Sequence, residues 1–301
     1  MPEHGLRRFD KIYVYGARDP IHYSGSPYYF MQSLREVLHD KEQSFVCPIP
    51  LKRLREIWPS YIRWVLKTRT MDHAAFFFSE EYHQASIAEI PVHIGGDTAV
   101  ISFTGLLEPS ILEKFRSAKN RHFYVYRDAT YIQLLDGFKY GRTIVGQKRT
   151  DLIARETKMY RLARRLFVYD SVIKDILINR YKIEEDKICI AGRGLNMSRA
   201  EFEMAAAVRH ANRSSSNEPI VFTIIGKDAC RKGVFQVIEA IDALSFGEKK
   251  RVRLRIVGPA RRSIPQRDYL ERFGFVSNKQ KLLEILGTTD VGILMSRRKE
   301  A

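Results

Sequence analysis

The chain has 301 residues, 45% of them hydrophobic, and a formal charge of +16 from 51 lysines and arginines against 35 acidic residues. That length suits two ordinary domains with substantial cores, and no apolar run approaches the roughly 18 residues that a membrane-crossing helix requires. The surplus of cations favours anionic partners (nucleic acid, an acidic membrane surface or phosphorylated substrates) without choosing among them. Three distant cysteines, Cys47, Cys189 and Cys230, have neither zinc spacing nor the number for a disulfide framework. The charged start "MPEHGLRRFDKIYVYG" enters a strand directly, with no signal peptide. A reducing, cytoplasmic compartment is the expectation.

Short apolar runs alternate with helical patterns. Strands are expected at 11–16, 44–49, 99–104, 122–128, 165–170 and 187–192. Helices are expected over 27–39, 52–69 (kinked at Pro59), 72–88, 109–118, 129–136, 149–163 and 171–181. Strands separated by helices imply parallel βαβ units, so residues 1–196 read as a doubly wound, Rossmann-like α/β domain. The polar stretch "HANRSSSNEP" (210–219) has the composition of an exposed connection, and a linker is expected over 197–218. Beyond it the alternation restarts with "IVFTIIG" (220–226), "RLRIVGP" (253–259), "RFGFVS" (272–277) and "DVGILMS" (290–296). Residues 219–301 therefore read as a second α/β domain, and the two domains are expected to face each other across a cleft. Only 83 residues fall in this second domain, fewer than a doubly wound sheet covered on both faces needs, so a truncated domain is expected.

The turn between "IVFTII" and "VFQVIEAI" reads "GKDACRKG" (226–233). A helix start is already positive, because its first N–H groups lack partners and its dipole points that way. Lys227, Arg231 and Lys232 add to that field, an arrangement that an anion such as phosphate would relieve. The same cations also suit a solvated turn. The order of residues excludes a Walker A loop, which ends in Gly-Lys-Ser/Thr.

In order and spacing, "FTIIGKDACRKGVFQVIEAI", "LRIVGP", "FGFVS" and "TTDVGILMS" resemble the donor-binding domain of family 4 retaining glycosyltransferases, which have the GT-B fold. That family carries Gly-Arg-Leu-x-x-x-Lys-Gly at this turn, and its Arg and Lys hold the nucleotide diphosphate. Here Gly226, Lys227, Lys232 and Gly233 stand at those positions. Lys227 keeps the charge of the usual Arg without its bidentate fork. Upstream, "ETKMYRLARRLFVYDSVIKDILINRYKIEEDKICIAGRGLN" (156–196) is similar to the end of the family's acceptor domain. "HYSGSPYYFMQSL" (22–34) resembles its glycine-bearing loop after the first strand. The family also has Glu-x7-Glu after the Ser that matches Ser296. Glu300 stands one residue later than the first of these glutamates, which contacts the donor sugar. The second, which contacts the ribose, would fall beyond Ala301.

What the resemblance implies is sugar transfer from a nucleotide-diphosphate sugar to a glycan or lipid-linked acceptor, with no cofactor. Metal ligands are not expected, since no Asp-x-Asp occurs. Ser24 and Gly25 follow the first strand, where open α/β sheets bind ligands; a plain turn before the next helix is the alternative. Asp128, at the end of "HFYVYRD", would orient acceptor hydroxyls, act as a base, or simply cap the following helix. Arg127 shares that sheet edge, His122 lies at the opposite one, and His93 precedes a Gly-Gly turn. The stretch "LKRLREIWPSYIRWVLKTRT" (51–70) holds six basic residues, one acidic residue and both tryptophans. That composition suits peripheral contact with an anionic membrane at its inner face, or an amphipathic helix packed by its apolar side. Two non-enzymatic readings stand beside the transferase: a remnant acting as a membrane or partner module, and a basic nucleic-acid binder, for which no recognised module appears.

Overall fold

The computed structural model describes residues 9–16, 26–39, 45–49, 54–86, 98–103, 122–137, 144–192, 194, 197–211 and 218–295. The chain divides into two compact units, one holding Met1–Asn196 and another running from Met197 to Glu300.

The first unit is built on six parallel strands: β1 (Lys11–Tyr15), β2 (Phe45–Ile49), β3 (Thr98–Ser102), β4 (His122–Arg127), β5 (Arg165–Val168) and β6 (Ile188–Ile190). Their order is β2-β1-β3-β4-β5-β6. The strands reverse direction of travel between β1 and β3, the pattern of a doubly wound sheet. Helices α1 (Ser26–His39), α2 (Trp58–Thr68), α3 (His73–Phe77), α4 (Glu80–Ser86), α5 (Tyr131–Gly137), α6 (Gly146–Leu162) and α7 (Ser171–Asn179) accompany it. The main core gathers Val100, Phe123, Val125, Leu166 and Val168 from the strands against Leu135, Leu152, Met159, Ile173 and Leu177 from the helices.

Two expectations change here. Pro59 does not kink a helix over 52–69: it sits in the first turn of α2, where its missing N–H costs nothing. The helix expected over 72–88 is two short ones, separated at Phe78–Ser79, where the Ser79 hydroxyl accepts from the Tyr82 N–H. The helix expected over 109–118 lies outside the described residues.

The second unit has four parallel strands, β7 (Ile220–Ile225), β8 (Val252–Val257), β9 (Leu270–Gly274) and β10 (Val291–Gly292), in the order β10-β7-β8-β9. Helices α8 (Arg199–Ala211), α9 (Val234–Asp242), α10 (Phe246–Lys249) and α11 (Lys279–Gly287) complete it. Ile224, Leu254 and Ile256 pack with Val234, Ile238 and Ile241 of α9 in its core. The linker expected over 197–218 is corrected over most of its length, because α8 fills it and packs on α11. The Ser198 hydroxyl accepts from the Glu201 N–H, and the Glu201 carboxylate accepts from the Ser198 N–H, a reciprocal cap that starts this helix. No helix among the described residues is long and apolar enough to cross a membrane.

His83 on α4 is buried, and neither ring nitrogen has a hydrogen-bond partner among the described residues. Burial pushes its pKa down to about 3, and the charges of Arg155 and Arg127 push the same way. An unfolded histidine titrates near ~6.5, so between these values the unfolded chain takes up a proton that the folded chain refuses. Stability contributed by the neutral ring is therefore complete above the unfolded pKa. It fades as pH falls, by about 2 kcal/mol at pH ~5. Urea unfolding of wild type and His83→Met, followed by tryptophan fluorescence at neutral and mildly acidic pH, is expected to show a flatter pH dependence in the variant. Equal slopes would contradict this account.

Candidate functional site

In the second sheet the chain steps from β7 to β8 to β9, then crosses back to place β10 on the other side of β7. The neighbouring strands β7 and β10 thus mark a point where the strand order reverses, and the crevice outside such carboxyl ends is where open α/β sheets hold ligands. Residues 226–233 leave β7 at this point.

Glycines shape the turn by close approach. The Gly226 N–H donates to the Val257 carbonyl at 2.9 Å, and the Gly258 N–H to the Gly274 carbonyl at 2.8 Å, so β7, β8 and β9 end flush. A Cβ on Gly258 would lie 2.4 Å from the Gly226 oxygen, and one on Gly226 would lie 2.7 Å from Cγ of Lys232. The Lys232 stem thus folds back across the strand end, beside the residue that precedes Lys227. Gly233 is left-handed at φ +68°, and a Cβ there would stand 2.3 Å from the Met295 carbonyl oxygen. Only glycine fits both demands. It brings the start of α9 against the segment that follows β10, which joins the two sides of the crevice.

The turn is wound on itself. The Asp228 carboxylate accepts from the Arg231 N–H at 2.9 Å. The Lys232 N–H donates to the Asp228 carbonyl, Gly233 N–H to Cys230, and Val234 N–H to Ala229. The expectation of unpaired N–H groups is corrected for Gly233 and Val234, whose protons are already committed. The positive field of this loop comes instead from its side chains: Lys227 and Arg231 are exposed and Lys232 is half-buried. The Lys227 ammonium lies 5.1 Å over the ring of Phe275, which is 59% exposed. Phe275 was not a predicted site residue. Its signal was present in "FGFVS", where an aromatic follows the glycine that ends a strand.

In the first unit, Asp128 is exposed directly after β4. It does not cap α5. Thr130 does, its hydroxyl accepting from the Gln133 N–H while the Gln133 side chain accepts from the Thr130 N–H. Arg127 is buried, with its guanidinium 2.6 Å from the carboxylate of Glu156, which is fully buried. That carboxylate also accepts from the hydroxyls of Tyr160 and Tyr181 and from the Tyr131 N–H. Burial opposes the Arg127 charge, and the oxygens of Tyr160 and Glu156 outweigh it, raising its pKa well above the usual value. Burial likewise pushes the Tyr131 hydroxyl up to about 12. This group fixes the carboxyl end of β4. Sequence reasoning missed it, although Glu156 falls on the same helical stripe as Leu152, Met159 and Tyr160, and a lone acid on an apolar face is the mark of a buried carboxylate. His122, at the other end of β4, is buried with Nδ1 3.0 Å from an Arg164 guanidinium nitrogen. Ser24, Gly25, His93 and Glu300 lie outside the described residues.

No family model and no curated sequence matches the chain. Solved structures do. The N-terminal domain of trehalose-6-phosphate phosphatase from Candida albicans is similar with a TM-score of 0.59 at 12% identity, over 97% of this chain and 80% of that one. The α,α-trehalose 6-phosphate synthase of Burkholderia multivorans gives 0.54 at 12% identity, over 96% and 77%. WaaG, a glycosyltransferase involved in lipopolysaccharide biosynthesis, gives 0.51 at 12% identity, over 95% and 75%. With its two Rossmann-like α/β units, the chain has the fold of the GT-B glycosyltransferases.

Proposed function

We propose that the chain is a retaining glycosyltransferase of the family 4 kind, and that the loop 226–233 holds the diphosphate of a nucleotide-sugar donor. The observation that carries this reading is the coincidence of Lys227, Arg231 and Lys232 with the crossover of the second sheet, on a turn whose glycines admit close approach. As the bond from sugar to diphosphate breaks, negative charge grows on the leaving oxygen. Fixed cations aimed at that position stabilise the transition state more than the ground state, which is what accelerates the step. Lys227 would swing from Phe275 onto the phosphate, and Lys232 would approach across Gly226. The anomeric carbon would pass through an oxocarbenium-like state, with the acceptor attacking from the face the diphosphate leaves. Asp128 would orient acceptor hydroxyls, and the acceptor would be a glycan or a lipid-linked sugar.

Donor hydrolysis tests this without knowledge of the acceptor, because water replaces it slowly in transferases. Incubation with UDP-, GDP- and ADP-linked hexoses is expected to release one nucleoside diphosphate, with retention at the anomeric carbon in the first-formed sugar. Release from none, beside intact binding of a nucleoside diphosphate, would assign the chain to the non-catalytic class.

A further inference from the structure

We propose that α2 is an interfacial helix that docks the first unit on an anionic bilayer surface. Its two sides carry two different apolar faces. One is spent inside the protein, where Tyr61 and Trp64 pack with Ile57, Phe76 and Tyr82 in a small core of their own. The other is exposed: Trp58 is 46%, Ile62 44% and Leu66 74% accessible. These three recur every fourth residue, and at about 100° per residue they form one stripe on successive turns. Met71, 78% accessible, continues the apolar surface past the helix end, its backbone carbonyl held by the Tyr61 hydroxyl at 3.1 Å.

Exposed cations frame this surface. Arg55 precedes the helix, Arg63 and Lys67 lie beside the stripe, and Arg69 stands at the left-handed C-cap. Among the described side chains the acids nearby are Glu56, Asp72 and Glu81; the Asp72 carboxylate accepts from the Ala75 N–H at 3.2 Å, and Glu81 is paired with Lys67 at 2.7 Å. Trp58 rests one edge on the Tyr61 ring, at 5.1 Å between centroids, but the outer part of the stripe, Leu66 above all, remains in water at a standing hydrophobic penalty. A tryptophan and aliphatic residues between arginines suit the headgroup boundary of an acidic membrane, where apolar bodies enter the interface and cations meet lipid phosphates. The helix lies on the surface and does not cross it, since it has only 11 residues. This docking does not depend on sugar transfer and is measured without a nucleotide sugar.

The test is co-sedimentation of the full chain with vesicles of mixed phosphatidylglycerol and phosphatidylcholine, compared with phosphatidylcholine alone, at low and high salt. Trp58 serves as a fluorescence reporter. Wild type is expected to bind the anionic vesicles with a blue shift and to lose binding as salt rises. Ile62→Ser/Leu66→Ser, which alters exposed positions only, is expected to bind at least about tenfold more weakly. Val172→Ser, at an exposed apolar residue outside the stripe, is expected to bind as wild type does, and circular dichroism checks that all three are folded. Absence of binding at low salt, equal binding by the double variant, or equal binding to uncharged vesicles would overturn the proposal. So would a wild-type dimer that is lost in the double variant without any vesicle binding, which would assign the face to a second copy.

Discussion

Glu156→Ala is expected to destabilise the first unit by about 3–5 kcal/mol, the range observed when one partner of a buried ion pair is removed. The cause is what remains behind. Arg127 would keep its charge in an interior that burial makes hostile to it, and the Tyr160 and Tyr181 hydroxyls and the Tyr131 N–H would lose their shared acceptor. Each buried polar group without a partner adds a penalty of about 1–3 kcal/mol, partly relieved by rearrangement. Glu156→Gln keeps the volume and one acceptor and is expected to lose less. Arg127→Met/Glu156→Leu is expected to lose less than the two single changes summed, because the charge and its counterpart leave together.

Both tryptophans, Trp58 and Trp64, lie in the first unit, so urea unfolding followed by their fluorescence reports this unit alone. A loss below about 1 kcal/mol for Glu156→Ala would show that the buried pair is not what fixes the end of β4. The consequence reaches the acceptor side of the proposed reaction, since Asp128 directly follows Arg127. A strand end that loosens takes Asp128 with it.

The alternation of strands and helices was legible because the strands of a parallel sheet, covered on both faces, are short uninterrupted apolar runs. "KIYVY" and "IVFTII" are rich in β-branched and aromatic residues and too short for a buried helix, so they read as such strands. β9 was placed two residues late for the opposite reason. Leu270–Gly274 is an edge strand whose Glu271 is bound by Arg255 at 2.9 Å, so its residues read as charged loop until the partner is known. The helix over Arg199–Ala211 was hidden by the polar composition that follows it, although Ser198 and Glu201 at capping-box spacing were in plain view. The crossover of the second sheet could not be read at all. Strand order depends on which edges pair in three dimensions, and no local residue reports it. In the candidate site, the cations and glycines were legible as a motif. The folding of Lys232 over Gly226, the closure of Gly233 on Met295 and the seat of Lys227 on Phe275 were not, because each joins residues that only the packed sheet brings together.

Removing both lysines from the turn is expected to abolish diphosphate binding. A hydrogen bond from a charged donor contributes about 1.5–3 kcal/mol, and removing two such bonds at once weakens binding by a factor on the order of a hundred to ten thousand. Neither Lys227 nor Lys232 belongs to the apolar core of the second unit, so Lys227→Ala/Lys232→Ala is expected to keep the fold, which circular dichroism checks. Calorimetric titration of the wild-type chain and this double variant with UDP, GDP and ADP tests the account most directly. The predicted result is saturable binding of one nucleotide by the wild type and none by the variant, which would place the diphosphate on residues 226–233 and identify the base of the donor. Binding of equal strength in the two proteins would contradict that placement, and absence of binding to all three nucleotides would contradict the donor site itself.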